Sequence, residues 1–97
     1  MIKGTIRNIK RTAQFKKEYK LAKKQGKDVS KALDIIRKLA NDEPLHERYC
    51  DHQLSGKWKD FRECHIAPDW LLVYKKTDAD GLVLILTRLA SHSDLGF

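Results

Sequence analysis

The segment "WLLVYKKTDADGLVLILTR", Trp70–Arg88, decides the fold. It opens on Trp-Leu-Leu-Val-Tyr, a run that is apolar on both sides of an extended chain, which predicts a strand open to burial on both faces. It closes on a second such strand, Leu-Val-Leu-Ile-Leu, within residues 82–88. Between them "TDADG" has the composition of a hairpin turn, and Gly81 can supply positive φ. Strands joined this closely run antiparallel. Upstream, "DFRECHI", residues 60–66, alternates: Phe61, Glu63 and His65 share one face, and Arg62, Cys64 and Ile66 the other. Pro68-Asp69 then turns this strand into Trp70, so three antiparallel strands follow one another.

The period differs in the first half of the chain. "IKGTIRNI" has β-branched residues in rough alternation and predicts a first strand near residues 4–10. Thr12 can cap a helix whose apolar stripe is Phe15, Tyr19 and Ala22, with Gly26 placed to end it. Asp28 or Ser30 can cap a second helix, striped by Val29, Leu33, Ile36 and Leu39 or Ala40, and Pro44 forbids its continuation beyond about residue 42. The stretch from Asn41 to Asp60 reads as a long connection in which Trp58 is assigned to the core. The expected fold is α+β, a single domain over residues 1–97 in the order β-α-α-β-β-β. An antiparallel sheet packs one face on a helix hairpin and leaves the other face open.

Charge is distributed unevenly. Residues 1–40 carry 13 Lys/Arg against 3 Asp/Glu, while residues 41–97 carry 7 against 10. A basic half suggests a polyanionic partner such as RNA, although Lys16, Lys17, Lys20, Lys23, Lys24 and Lys27 would also suit a plainly solvated helix face. Cys50 and Cys64 are too few for a secreted disulfide framework. The beginning "MIKGTIRNIK" lacks an apolar signal core and no run reaches membrane-spanning length. A cytoplasmic protein with no membrane association is expected.

The chemistry-bearing residues lie around "HIAPDW", His65–Trp70. His65 ends one strand and Asp69 begins the next, His52 precedes the central strands, and His92 follows the last strand four residues after Arg88. This topology can bring them to one rim. Imidazoles can give and take a proton at neutral pH. An arginine can pair with a phosphate through two parallel N–H bonds. These are the parts needed to cleave RNA without a metal, and Trp70, Tyr74 or Phe97 could stack bases. Each also has a plainer role: strand histidines, Trp70 and Tyr74 as core, Arg62 and Glu63 as cross-strand pairs. A zinc centre from Cys50, His52, Cys64 and His65 is not expected, because adjacent Cys64 and His65 on a strand point to opposite faces. No metal or other cofactor is expected.

"YCDHQLSGKWKDFRECHIAPDWLLVYK", residues 49–75, together with "TRLASHSDLGF", residues 87–97, resembles the RelE/ParE superfamily of toxins from type II toxin–antitoxin pairs, in its YafQ-like branch. The resemblance spans nearly the whole chain. It implies a RelE-like fold and a ribosome-dependent, metal-independent endoribonuclease, an mRNA interferase. By motif position it implies catalytic roles for His52, His65, Asp69 and His92, a phosphate contact for Arg88, and substrate contacts for Trp70 and Phe97. Gly96 stands between Leu95 and Phe97 where relatives often end in Leu-Phe, so the terminal aromatic matches loosely. The basic helix would grip ribosomal RNA. The implied partners are the ribosome and mRNA, and a cognate antitoxin of DinJ or RelB type, through whose complex alone operator DNA is met. Two other readings remain open: a ParE-like DNA gyrase poison, and a non-catalytic module that binds RNA or protein.

Overall fold

The computed structural model describes residues 4–79 and 81–96. Its elements are β1 (Asn8–Arg11), α1 (Ala13–Lys24), α2 (Val29–Ala40), β2 (His52–Gln53), β3 (Arg62–Ala67), β4 (Trp70–Thr77), β5 (Val83–Ala90) and α3 (His92–Leu95). Single 3-10 turns at Glu47–Tyr49 and Gly56–Trp58 shape the long connection. The five strands form one sheet in the order β1-β5-β4-β3-β2.

Local chemistry accounts for the helices. Thr12 Oγ1 accepts the Phe15 amide at 3.0 Å and starts α1, while Asp28 accepts the Lys31 amide and starts α2. Gly26, at φ +77°, follows the end of α1 in the left-handed region that glycine enters without steric cost. The buried stripe of α2 is Ala32, Ile35, Ile36, Leu39 and Ala40. Val29 and Leu33, expected on that stripe, sit half-buried at its edge. Both helices cover one sheet face, where Phe15, Ala22, Ile36 and Leu39 share a core with Ile66, Leu72, Tyr74, Leu84 and Leu86.

The antiparallel β3-β4-β5 unit lies as expected, with Glu63 opposite Val73 and Val73 opposite Arg88. The first strand begins later than expected and runs parallel to β5, Asn8 opposite Val83 and Arg11 opposite Leu86. The sheet is therefore mixed, because the αα crossover returns the chain to the far edge of the hairpin. β2, expected to be loop, adds two residues to the opposite edge, with His52 paired to Glu63.

The second face is not left open. Leu71, Val73, Ala90 and Leu95 form a smaller core there, against which Leu54 and Phe61 pack. The alternation of β3 placed Phe61 on that face, but the covering loop has no period to announce itself. Trp58 is not core: it lies half-buried, edge-on to Phe61 at 5.2 Å, within this cover.

Arg7 fastens the far end of the sheet. Buried to 8% exposure, its guanidinium bonds Asp42 Oδ1 at 2.7 Å, Asp78 Oδ1 at 2.9 Å and the Val83 carbonyl at 3.2 Å. Lys76 Nζ also reaches Asp42, at 2.8 Å. Asp42 itself sits at φ +54°, an unfavourable conformation for a residue with a Cβ, held by these partners.

Candidate active site

The uncovered end of the second face carries an acid–base cluster. Its anchor is the pair Asp69 and His92. The β3–β4 turn presents Asp69, and Ser91, capping α3 through its hydroxyl, aims His92 back at it. One carboxylate oxygen, Oδ1, accepts both the His92 amide at 2.9 Å and the His92 Nδ1–H at 2.7 Å. These bonds, the amide's first, hold the Asp69 carboxyl below the usual carboxylate range, so it stays ionised while imidazoles titrate. An ionised carboxylate only accepts, which puts a proton on Nδ1 and points Nε2 outward to take or give another.

His65 lies beside this pair, its ring centroid 5.3 Å from that of His92 and nearly edge-on. The register shift between His65 and Ala67 interrupts the β3–β4 ladder just here, a device that re-aims side chains at strand ends. On the other side stands Glu63, only 5% exposed. Its Oε1 is 3.9 Å from His65 Nε2 and 3.6 Å from His52 Nε2. Both distances exceed a hydrogen bond, and they place the Glu63 carboxyl between two imidazoles. His52 Nδ1 is 2.7 Å from the Cys50 carbonyl, which can only accept, so its proton also sits on Nδ1 and Nε2 faces the cluster.

His52, His65, Asp69 and His92 are thus brought together. Glu63, expected from the sequence only as a cross-strand partner, joins them. Its signal was available, since alternation placed it on one face with His65, two residues away. Arg88 lies in the cross-sheet row of Glu63 and Val73, but its guanidinium is engaged: Nε and Nη2 bond the two oxygens of Glu18 at 3.0 and 2.9 Å. Nη1 takes no part in that pairing. Trp70 does not offer an open stacking face, being 5% exposed in the main core with Lys27 Nζ 5.7 Å from its ring centroid. Phe97 lies outside the described residues. Lys16, Lys17, Lys20, Lys23, Lys24 and Lys27 are all exposed, and among the described residues none enters an ion pair, so their field reaches solvent unneutralised.

The zinc set considered from the sequence is not assembled, because Cys64 is fully buried on the helix side of β3. Burial pushes its thiol well up and leaves it inert as a nucleophile. A different trio, Glu63, His65 and His92, holds its ligand atoms within 4.8 Å of one another.

Asp51 fixes the segment that carries His52. It accepts the Tyr74 hydroxyl at 2.6 Å and Arg62 Nε at 3.3 Å. Burial, then the hydrogen bond to Asp51, raises the Tyr74 phenol, which therefore remains a donor. Tyr74→Phe is expected to cost about 1–2 kcal/mol and to loosen the chain around His52. Hydrogen exchange at the His52 amide should accelerate more than at the β4 amides. Equal acceleration throughout would detach Tyr74 from the positioning of His52.

A paired His–Asp, two further imidazoles and a buried glutamate form a cluster chemically able to take and give protons, on a small mixed sheet backed by a basic helix. The sequence profile described as a bacterial toxin of type II toxin–antitoxin system, YafQ, matches residues 7–96. The mRNA interferase toxin YafQ of Escherichia coli strain K12 is 40% identical over 90 residues, spanning 92% of this chain and 95% of that one. The crystal structure of the Escherichia coli DinJ–YafQ toxin–antitoxin complex superposes with a TM-score of 0.82 at 40% identity, over 93% of this chain and 97% of that chain. A metal-bound toxin from Helicobacter pylori superposes with a TM-score of 0.84 at 42% identity, over 91% and 97% of the two chains. The chain belongs to the YafQ family of type II toxin–antitoxin toxins.

Proposed function

We propose that this protein is an mRNA interferase that cuts mRNA in the ribosomal A site. The Asp69–His92 pair with His65 beside it carries this reading. One imidazole removes the proton of a ribose 2′-OH, and the freed oxygen attacks the adjacent phosphorus. The bond to the 5′-oxygen breaks, and a second, protonated imidazole gives that oxygen a proton. The products are a 2′,3′-cyclic phosphate and a 5′-hydroxyl. His92, oriented by Asp69, supplies one transfer at Nε2. His52 and His65, flanking the Glu63 carboxyl, share the other transfer and hold the phosphate. Arg88 stabilises the charge of the transition state through Nη1, or through its whole fork once Glu18 yields.

His52, His92 and Asp69 stand about half exposed or more at the end of the sheet, so the chain supplies its acid–base groups at an open surface. The ribosome would supply the missing positional order, and the α1 lysines the grip on ribosomal RNA. A DinJ-like antitoxin would be the cytoplasmic partner that restrains the toxin, and operator DNA would be met only in that complex. The test is 5′-end mapping of a defined mRNA on programmed ribosomes. Cuts at the A-site codon are expected. Intact mRNA on ribosomes with toxin in excess would overturn the reading.

No step above needs a metal. A chelator that takes transition metals but spares magnesium is therefore expected to leave the cutting rate unchanged. Glu63, His65 and His92 do offer a borderline-soft cation a carboxylate and two nitrogens. Added Zn²⁺ or Cu²⁺ should suppress cutting by occupying the nitrogens that move protons. Cutting that stops with the chelator and returns with the metal would contradict both statements.

A further inference from the structure

Glu18 is the one acidic residue of α1, and its side chain is only 11% exposed while the lysines around it face solvent. Its place follows from where β1 stops. The β1–β5 ladder ends at Arg11 opposite Leu86. Thr12 carries it on, its amide donating to the Leu86 carbonyl at 3.0 Å and its hydroxyl to the Thr87 carbonyl at 2.8 Å. Past that point no strand among the described residues lies beside this edge of β5, and Glu18 Oε1 accepts the Leu89 amide at 3.0 Å. The same carboxylate accepts Arg88 Nε on both oxygens, at 3.0 and 3.2 Å, and Arg88 Nη2 on Oε2 at 2.9 Å. To release the arginine by turning away, Glu18 would also have to leave the Leu89 amide unpaired.

Glu18 does not have to turn away. Arginine carries its five N–H donors in one plane, and this pairing takes the side edge, Nε with one N–H of Nη2. The end edge, one N–H each from Nη1 and Nη2, keeps two parallel donors of the kind that match a phosphate. Nη1 makes no hydrogen bond, and no buried side-chain nitrogen among the described residues lacks a partner, so Nη1 reaches solvent. Hydrogen bonding to Glu18 raises the Arg88 pKa against burial, and the charges of Glu18 and Asp94 add to the rise. The guanidinium thus stands in the field of α3, whose Asp94 lies two residues after His92. We propose that Glu18 is a positioning residue of the active site, holding Arg88 by one edge so that the other is set in advance for the scissile phosphate. Glu18 stays bonded throughout. As the 2′-oxygen attacks and the phosphate oxygens gain charge, the free edge meets that charge without reorganising. The inference rests on the mRNA-interferase reading and adds what fixes its phosphate contact.

The test compares kcat and KM for cutting on programmed ribosomes by wild type, Glu18→Gln, Arg88→Ala, the double variant and Arg88→Lys. Glu18→Gln keeps an oxygen for the Leu89 amide but removes the charge and turns donors toward donors. Its kcat should fall about tenfold, within the 10²-fold scale of a misplaced group. KM should change less than about twofold, because the contact strengthens as charge develops in the transition state. On the Arg88→Ala background the same change should cost less than about twofold, since no guanidinium is left to place. Arg88→Lys keeps a charge that can pair with Glu18 but has no second edge, and should cut as slowly as Arg88→Ala. That arm leaves Glu18 untouched and decides the matter even where Glu18→Gln fails to fold. Equal losses in both backgrounds would make Glu18 merely structural. Unchanged cutting by Glu18→Gln would make it a bystander, and faster cutting a competitor of the phosphate. Cutting restored by Arg88→Lys would show that charge alone suffices. Each of these results overturns the positioning role alone. A wild type that cuts no mRNA at all removes the interferase reading, and the positioning role with it.

Discussion

His92→Ala lowers the rate of mRNA cleavage by about 10²-fold or more, the scale of losing a general acid or base. The loss should appear in kcat with little change in KM, because the imidazole acts on the proton in flight. The half-exposed side chain supports no core residue, so the melting temperature should change little. Asp69 is ionised throughout the range in which imidazoles titrate, so the pH–rate profile should report imidazoles and not this carboxylate. The variant should therefore lose one limb of the profile. Asp69→Asn keeps a hydrogen-bond acceptor for Nδ1 but removes the charge, and should fall between wild type and His92→Ala. Unchanged cutting by His92→Ala would sink the catalytic assignment and return a purely binding role to the front.

The second large effect is on stability. Arg7→Met is expected to cost about 2 kcal/mol and to lower the melting temperature of a domain this size by roughly 10 °C. The figure sits below that for a fully buried pair because Asp42 and Asp78 are 39% and 69% exposed and water screens them. The methionine still fills the apolar path of the arginine stem, so the loss isolates the charge. Hydrogen bonding from Arg7, then Lys76, lowers the pKa of Asp42. A depressed carboxyl contributes stability above its unfolded pKa, and that contribution is lost as pH falls through the folded value. Wild type should thus lose this increment only in strong acid, and Arg7→Met should lose less over the same range. Parallel acid-denaturation curves would show that the bridges contribute nothing.

The comparison between sequence and fold divides along physical lines. Signals contained in a short window were legible: the burial of Leu71–Tyr74, the Thr12 and Asp28 caps, the Pro68-Asp69 turn. The histidines were legible as a set because the strand order carried them to one rim. What escaped depends on long-range pairing. Nothing within "IKGTIRNI" states that its partner is Val83–Leu86 or that the pairing is parallel. Glu63 resembles any polar residue on an alternating strand until His52 is seen opposite it. Arg88 invites a phosphate until Glu18, one helix away, is seen holding it. The loop covering Leu71 and Val73 packs by shape, through Leu54 and Phe61, and not by period.

The parallel pairing of β1 with β5 also sets an order of events during synthesis. Asn8 cannot close its ladder until Val83 has left the ribosomal tunnel. At about 5–20 residues per second, the intervening chain takes several seconds to make. Long-range pairing of this kind also closes late, after its loop entropy has been met. His92 is made later still. The last part of the sheet to close and the proposed proton-transfer group at His92 therefore arrive together. A ribosome translating this message should stay safe from its own product at least until residue 92 has been added, and an antitoxin can meet a toxin that has only just folded.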